Sequence, residues 1–232
     1  MRSVASLPAA KAQLSPPDAD LSGTCGVLIP AYNEADTVAT VIRTALAAAL
    51  GPVLVVDDGS TDATTSAALA AGAAVLTLGD NLGKGGAVYE GATALQTDFV
   101  VLIDADLVGL LPEHLKELAR PVLEHRFDMT RGVFAGGRWR TTAAQNITPQ
   151  LNGQRALTRR KLLNVPGLAK SRYGIEIAIT EQAKRSHWRT TDIAMRDVSQ
   201  VMKEEKRGFL KGVQIRLGMY RDILKTWIKN LG

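Results

Sequence analysis

Over the first hundred residues, short apolar runs alternate with stretches whose apolar positions recur at helical spacing, the pattern of a parallel sheet joined by crossover helices. Residues 26–29 read as a strand broken by Pro30, and Asp36 or Thr37 can cap a helix that runs to Leu50 and stops at Gly51-Pro52. Residues 53–56, 74–78 and 99–103 read as further strands, separated by helices over 62–71 and 84–96. Pro112 fits the first turn of a helix reaching about Glu124. Beyond Asp128 the pattern loosens. It predicts a strand over 127–134, a loop over 138–149, helices over 154–163 and 175–185, and a strand over 192–198. From Lys206 onward, Leu210, Val213, Leu217, Tyr220, Leu224, Trp227 and Leu231 recur at helical spacing among Lys211, Arg221, Lys225 and Lys229. Such a basic amphipathic helix can pack on the domain, lie on an anionic membrane or pair with a partner.

The chain has 232 residues, 46% of them hydrophobic, enough for one substantial core. The expected division is a disordered, proline- and alanine-rich lead-in over 1–22, an α/β domain over 23–203, and the basic helix over 204–232. Cys25 is the single cysteine, which excludes an intramolecular disulfide framework and suits a reducing cytoplasm. No apolar run reaches the roughly 18 residues of a membrane span. Charge divides the chain: residues 1–130 carry seven Lys/Arg against sixteen Asp/Glu, and residues 131–232 carry twenty-one against seven. The acidic half suits metal ions, and the basic half suits phosphate groups, an anionic membrane surface, or simply solvated helix faces. No nucleic-acid partner is expected, and a homodimer is compatible with the pattern.

Four carboxylates fall at the ends of apolar strands, Asp57-Asp58 and Asp104-Ala105-Asp106. Crowded like charges destabilise a fold unless they bind something, and the crevice beyond the strand ends of an open α/β sheet is where such ligands sit. Asp104 and Asp106 are two apart on an extended chain and can face one site, where Mg²⁺ or Mn²⁺ would neutralise them; as a bare motif, Asp-x-Asp equally serves as a turn former. In Asp57-Asp58-Gly59-Ser60-Thr61-Asp62, helix capping accounts for Ser60 or Asp62 and leaves Asp57 and Asp58 without a structural task, so they are candidates to hydrogen-bond a ribose or base. Asn81-Leu82-Gly83-Lys84-Gly85-Gly86 offers a glycine loop, a cation and a helix N-terminus, a combination suited to phosphate, although an ordinary glycine turn would look the same. Neither a Walker A loop nor a dinucleotide-binding G-x-G-x-x-G is present.

Taken in order, Leu28-Ile29-Pro30-Ala31-Tyr32-Asn33-Glu34, the Asp57 to Asp62 turn, the Asn81 to Gly86 loop and Ile103-Asp104-Ala105-Asp106-Leu107 resemble the family 2 glycosyltransferases with the GT-A fold, over about residues 25–200. The resemblance implies an α/β, mostly parallel sheet flanked by helices and a metal-dependent transfer of sugar from a nucleoside-diphosphate sugar. It places nucleotide binding on Pro30, Tyr32, Glu34, Asp57, Asp58, Lys84 and Asp104, and metal binding, with the diphosphate, on Asp106 and Asp104.

In the second half, Leu151-Asn152-Gly153-Gln154-Arg155-Ala156-Leu157 and Tyr173-Gly174-Ile175-Glu176 resemble the acceptor-side motifs of bacterial enzymes related to glucosyl-3-phosphoglycerate synthase and, more distantly, polyprenyl-phosphate sugar transferases. Gly153, Gln154, Arg155 and Tyr173 become acceptor-binding candidates. The acceptor implied is phosphorylated, a carbohydrate, or a polyprenyl phosphate. Arg138, Arg140, Arg155, Arg159, Arg160 and Lys161 supply matching positive charge. Glu176 could deprotonate a hydroxyl acceptor if the reaction inverts the sugar, or form a salt bridge with Arg155 or Arg172. Relatives often carry a metal-binding histidine where this chain has Gln200, whose carbonyl could bind a hard cation more weakly. His114, His125 and His187 lack metal-ligand spacing and read as surface residues. The rival readings are a non-catalytic nucleotide-sugar binding protein and a sugar nucleotidyltransferase; the latter would place a glycine-rich loop after the first strand. Peripheral attachment at the inner face of a membrane through the last helix is a further expectation.

Overall fold

A computed structural model describes residues 12–16, 18–135, 153–171 and 174–200. The elements follow the order β1 (Gln13–Ser15), β2 (Ser22–Ala31), α1 (Val38–Ala47), β3 (Val53–Asp57), α2 (Thr64–Ala70), β4 (Ala74–Thr77), α3 (Lys84–Ala94), β5 (Gln96–Leu102), β6 (Leu107–Val108), α4 (Pro112–Leu123) and β7 (Met129–Ala135). After these come β8 (Arg155–Thr158), α5 (Arg159–Leu163), a 3-10 turn (Leu168–Lys170), α6 (Ile175–Arg185), β9 (Thr190–Arg196) and β10 (Ser199–Gln200). Arg138, Arg140, Arg172, Tyr173 and the expected C-terminal helix lie outside the described residues.

Eight strands form one sheet in the order β1-β4-β3-β2-β5-β8-β7-β9, and β10 pairs with β6 in a two-stranded ribbon. Strands β4, β3, β2 and β5 run parallel, so their C-terminal ends open on one side, while β8 lies antiparallel between β5 and β7. Alternation along each central strand divides the core between two faces. Val27, Ile29, Val53, Val55, Val101 and Ile103 pack with α1 and α4, and Leu28, Leu54, Val56, Val100 and Leu102 pack with α3, α5 and α6. Gly91 lets α3 approach the sheet: a Cβ there would come within 2.4 Å of a Leu28 methyl and 2.6 Å of a Val56 methyl.

Two expectations are corrected here. The helix expected over 154–163 begins only at Arg159, because Arg155–Thr158 pairs on both sides with β5 and β7 and completes the sheet. Part of the lead-in expected to be disordered, Gln13–Ser15, hydrogen-bonds along the edge of β4 and covers it, with Leu14 packed on the core.

Candidate functional site

The loops after β2, β3 and β4 are stitched to one another by their own polar side chains. Asn33 N–H donates to Ser60 Oγ at 2.9 Å, Thr61 N–H to Asn33 Oδ1 at 2.8 Å, and Glu34 N–H to Thr64 Oγ1 at 2.8 Å. Glu34 is buried, and its carboxylate accepts from Thr37 Oγ1 at 3.1 Å. Pro30 and Tyr32 are half-buried beside it. Asp62 accepts from Ala35 N–H and Thr64 N–H; burial opposes its charge, but the hydrogen bonds from Thr64 and Ala35 outweigh this and keep its carboxyl below the usual range.

The expectation that Asp57 and Asp58 lack a structural task is corrected. Asp57 Oδ1 accepts from Ser60 N–H at 2.8 Å, and its Oδ2 accepts from Thr65 Oγ1, so this carboxylate ties the turn to α2. Asp58 accepts from Leu82 N–H at 2.7 Å through Oδ1 and from Gly83 N–H at 2.8 Å through Oδ2. Asn81 Nδ2 donates back to the Asp58 carbonyl at 3.0 Å. Thus Asp58 holds the glycine loop that delivers Lys84 to the start of α3.

Lys84 stands between two carboxylates, 2.7 Å from Asp104 Oδ1 and 2.5 Å from Glu176 Oε1. Burial would depress an ammonium here, but the charges of Asp104 and Glu176 and their hydrogen bonds prevail and raise its pKa. Glu176, for which the sequence allows a salt bridge with Arg155 or Arg172 as one reading, makes an ion pair with Lys84; Arg172 lies outside the described residues. Glu176 is buried in the first turn of α6, whose N-terminal end faces the same crevice.

Gly153, Gln154 and Arg155 enter the crevice from the start of β8. A Cβ on Gly153 would lie 2.6 Å from Asp104 Oδ1 and from Lys84 Nζ, so the bare Cα is what admits the ion pair. Gln154 is fully buried and donates Nε2 to Asp104 Oδ2 at 2.9 Å, while its Oε1 has no hydrogen-bond partner among the described residues. Arg155 is also fully buried, donating to the Glu176 carbonyl and to Thr180 Oγ1. Both side chains, expected to bind the acceptor, are thus buried and make internal contacts. A small cavity is bounded by Pro30, Lys84, Asp104, Gly153, Arg155 and Glu176.

Asp106 is half-buried on the loop after β5. Gln200 is brought back to that loop by the β10–β6 ribbon, where Gln200 pairs with Leu107 and donates Nε2 to Asp104 Oδ2 at 2.6 Å. The structure thus places Gln200 beside the Asp-Ala-Asp segment through its amide N–H. Among the described residues, no group of three or more His, Cys, Asp and Glu side chains could alone enclose a metal ion.

Arg159 and Lys161 do not join the site. Because β8 runs antiparallel, its end carries them to the opposite end of the sheet, where Arg159 donates to the carbonyls of Thr97 and Ala92 and Lys161 pairs with Asp128 at 2.5 Å. Arg160 is exposed on the same short helix. His125 and His187 are exposed as expected, but His114 is buried, its Nδ1 accepting from Leu111 N–H at the start of α4. Sequence reasoning also missed Thr180, Thr64 and Thr65; isolated threonines carry no motif, and only the packing of α6 and α2 reveals their partners.

The sheet order and the charged crevice beyond its parallel strand ends define a GT-A glycosyltransferase fold. Residues 26–180 match the glycosyl transferase family 2 profile, and the chain belongs to that family. It is 30% identical over 191 residues to glucosyl-3-phosphoglycerate synthase of Mycolicibacterium smegmatis, covering 67% of this chain and 62% of the relative. It is 32% identical over 183 residues to glycosyltransferase AglJ of Haloferax volcanii, covering 71% of this chain and 60% of that protein. A crystal structure of the Mycobacterium tuberculosis synthase with Mn²⁺, UDP and phosphoglyceric acid superposes with a TM-score of 0.72 at 26% identity, over 90% of this chain and 78% of that one. The chain spans about three-fifths of the length of these curated relatives. Among the described residues, no helix is long and apolar enough to cross a membrane.

Proposed function

We propose that the chain is a metal-dependent glycosyltransferase that moves a sugar from a UDP-sugar to a small phosphorylated acceptor. The observation that carries this is the chain of charge Asp104–Lys84–Glu176, at 2.7 and 2.5 Å, in a crevice at the ends of β2 and β5. The synthase structures that superpose hold UDP with Mn²⁺ or Mg²⁺ and phosphoglyceric acid, which supports the donor, the ion and the acceptor class. A carbohydrate hydroxyl or a polyprenyl phosphate is the alternative acceptor.

The oxygen-rich donor set fits a hard cation. Asp106 and Asp104 supply carboxylates, and the Gln154 Oε1 left over beside Asp104 and the Gln200 amide supply neutral oxygens. Asp106 and Gln200 would hold Mg²⁺ or Mn²⁺ together with the donor's phosphate oxygens. When bound, the ion stabilises negative charge on the departing diphosphate. Lys84 presents its ammonium from the N-terminus of α3 and offers the diphosphate a second positive charge, preset by its two carboxylate partners. Pro30, Tyr32, Glu34, Asp57 and Asp58 form or brace the nucleoside side. Glu176 faces the crevice and, if the reaction inverts the sugar, takes the proton of the acceptor hydroxyl; Gly153 and Tyr173 are the acceptor-binding candidates.

The reading is tested by measuring release of the matching nucleoside diphosphate from a panel of UDP-, GDP- and ADP-sugars, with Mn²⁺, on 3-phosphoglycerate, free sugars and polyprenyl phosphate. Turnover with a UDP-sugar and a phosphorylated acceptor, abolished by chelator and by Asp106→Ala, is expected. Donor binding without turnover on every acceptor would mean a binding protein.

A further inference from the structure

Three consecutive residues at the start of β8 touch the charged chain in three ways. Gly153 makes room for it, Gln154 donates to Asp104, and Arg155 passes behind it to α6. Arg155 has no accessible surface, and its guanidinium is engaged by α6. Its Nη2 donates to the Glu176 carbonyl at 3.1 Å and to Thr180 Oγ1 at 3.0 Å, and Nη1 lies 3.6 Å from Met129 Sδ. Thr180 Oγ1 itself donates to the Glu176 carbonyl at 2.7 Å, closing a small ring around the first turn of α6.

We infer that Arg155 is a positioning residue, which fixes the first turn of α6 so that the Glu176 carboxylate meets Lys84. The backbone of Glu176 is gripped from behind by β8 while its side chain points at Lys84 in front. One planar guanidinium supplies two donations from a single nitrogen along a fixed direction, whereas a lysine ammonium on a flexible stem does not reproduce this fork. Loosening that grip moves the carboxylate by fractions of an ångström, which costs the transfer step rather than substrate affinity. The fully buried cation also lies within reach of the Glu176 and Asp104 charges, and burial brings its pKa down to about 10.

The kinetic arm rests on the proposed glycosyl transfer, and a second arm does not. Arg155→Lys and Thr180→Val are compared with the parent chain in steady-state transfer from UDP-sugar to the phosphorylated acceptor, with rates referred to folded protein. Hydrogen exchange of residues 175–180 is followed by mass spectrometry without any ligand. For Arg155→Lys, kcat is expected to fall by about tenfold or more while both KM values stay within about twofold. Exchange in the first turn of α6 rises. Thr180→Val, which removes the two hydrogen bonds of Oγ1 and no charge, shows a smaller change in the same direction and serves if Arg155→Lys does not fold. A raised acceptor KM with kcat retained would overturn the inference, since Arg155 would then be an acceptor contact. Unchanged exchange in α6 would overturn it as well. If the parent chain transfers no sugar, the proposed function fails alone, and the exchange arm still decides the role of Arg155.

Discussion

Lys84 Nζ lies 2.5 Å from Glu176 Oε1, although 92 positions separate the two in the chain. The pair joins the N-terminus of α3 to the first turn of α6, with Asp104 on the other side of the same ammonium. Removing the cation leaves two carboxylates facing a gap. Lys84→Met should therefore destabilise the protein by about 3 kcal/mol, and the double variant Lys84→Met/Glu176→Gln by less than the sum of the single variants. Chemical denaturation of the four proteins measures this, and strict additivity would mean that the contact carries no coupling energy.

Gly153 is the point of closest approach to that pair. In Gly153→Ala the new methyl meets Asp104 and Lys84 at 2.6 Å, so the ends of these two side chains must shift. The expected result is a loss of transfer rate of about tenfold or more, with a melting temperature close to that of the parent. A fully active variant would show that transfer tolerates a displaced Lys84–Asp104 pair.

Asp58 is expected to matter for stability before any ligand arrives. Asp58→Asn turns one of its two acceptor oxygens into a donor, so either Leu82 N–H or Gly83 N–H loses its partner. A loss of about 1–3 kcal/mol follows, seen as a lower melting temperature in the absence of nucleotide. An unchanged melting temperature would leave the loop tether without energetic weight.

Gln200 offers a gain-of-affinity test of the proposed metal site. Gln200→His exchanges an amide for a stronger ligand at the edge of the Asp104–Asp106 segment. The Mn²⁺ concentration for half-maximal thermal shift in the presence of UDP is expected to fall by about tenfold. If it does not move, position 200 plays no part in holding the ion.

Far from the site, Asp128 binds Lys161 and Arg189. Burial opposes its charge, but hydrogen bonds from Lys161 and Arg189 and the Lys161 charge outweigh it, and its pKa is lowered to about 2. A carboxylate depressed in the folded state contributes stability above its unfolded pKa of about 3.9, and loses it as pH falls through the folded value. The stability gap between the parent and Asp128→Asn should therefore be full at pH 5 and close between about pH 4 and pH 2. Urea titrations across this window test it; a gap independent of pH would assign the effect to hydrogen bonding alone.

Much of this molecule could be read from local pattern. Continuous apolar runs such as Val53-Leu54-Val55-Val56 read as central parallel strands buried on both faces, and carboxylates following such runs emerge at the open ends of the sheet. Lys84 and Glu176 could likewise be marked as chemical groups, because a cation at a glycine loop and an acid at a helix start are local signals. Their partnership, the turn of Gln200 onto Asp104, and the inward course of Arg155 had no such signal. They depend on β10 returning to β6 and on β8 inserting antiparallel between β5 and β7, a pairing with β5 across more than fifty residues that reverses which end of the basic segment faces the site. The sequence by itself determined the sheet core and the kinds of charge at its open end, because both follow from alternation and spacing along a few residues. Only the tertiary structure decided which charges meet, because a buried ion must take its partner from whatever the packed elements bring within hydrogen-bonding distance.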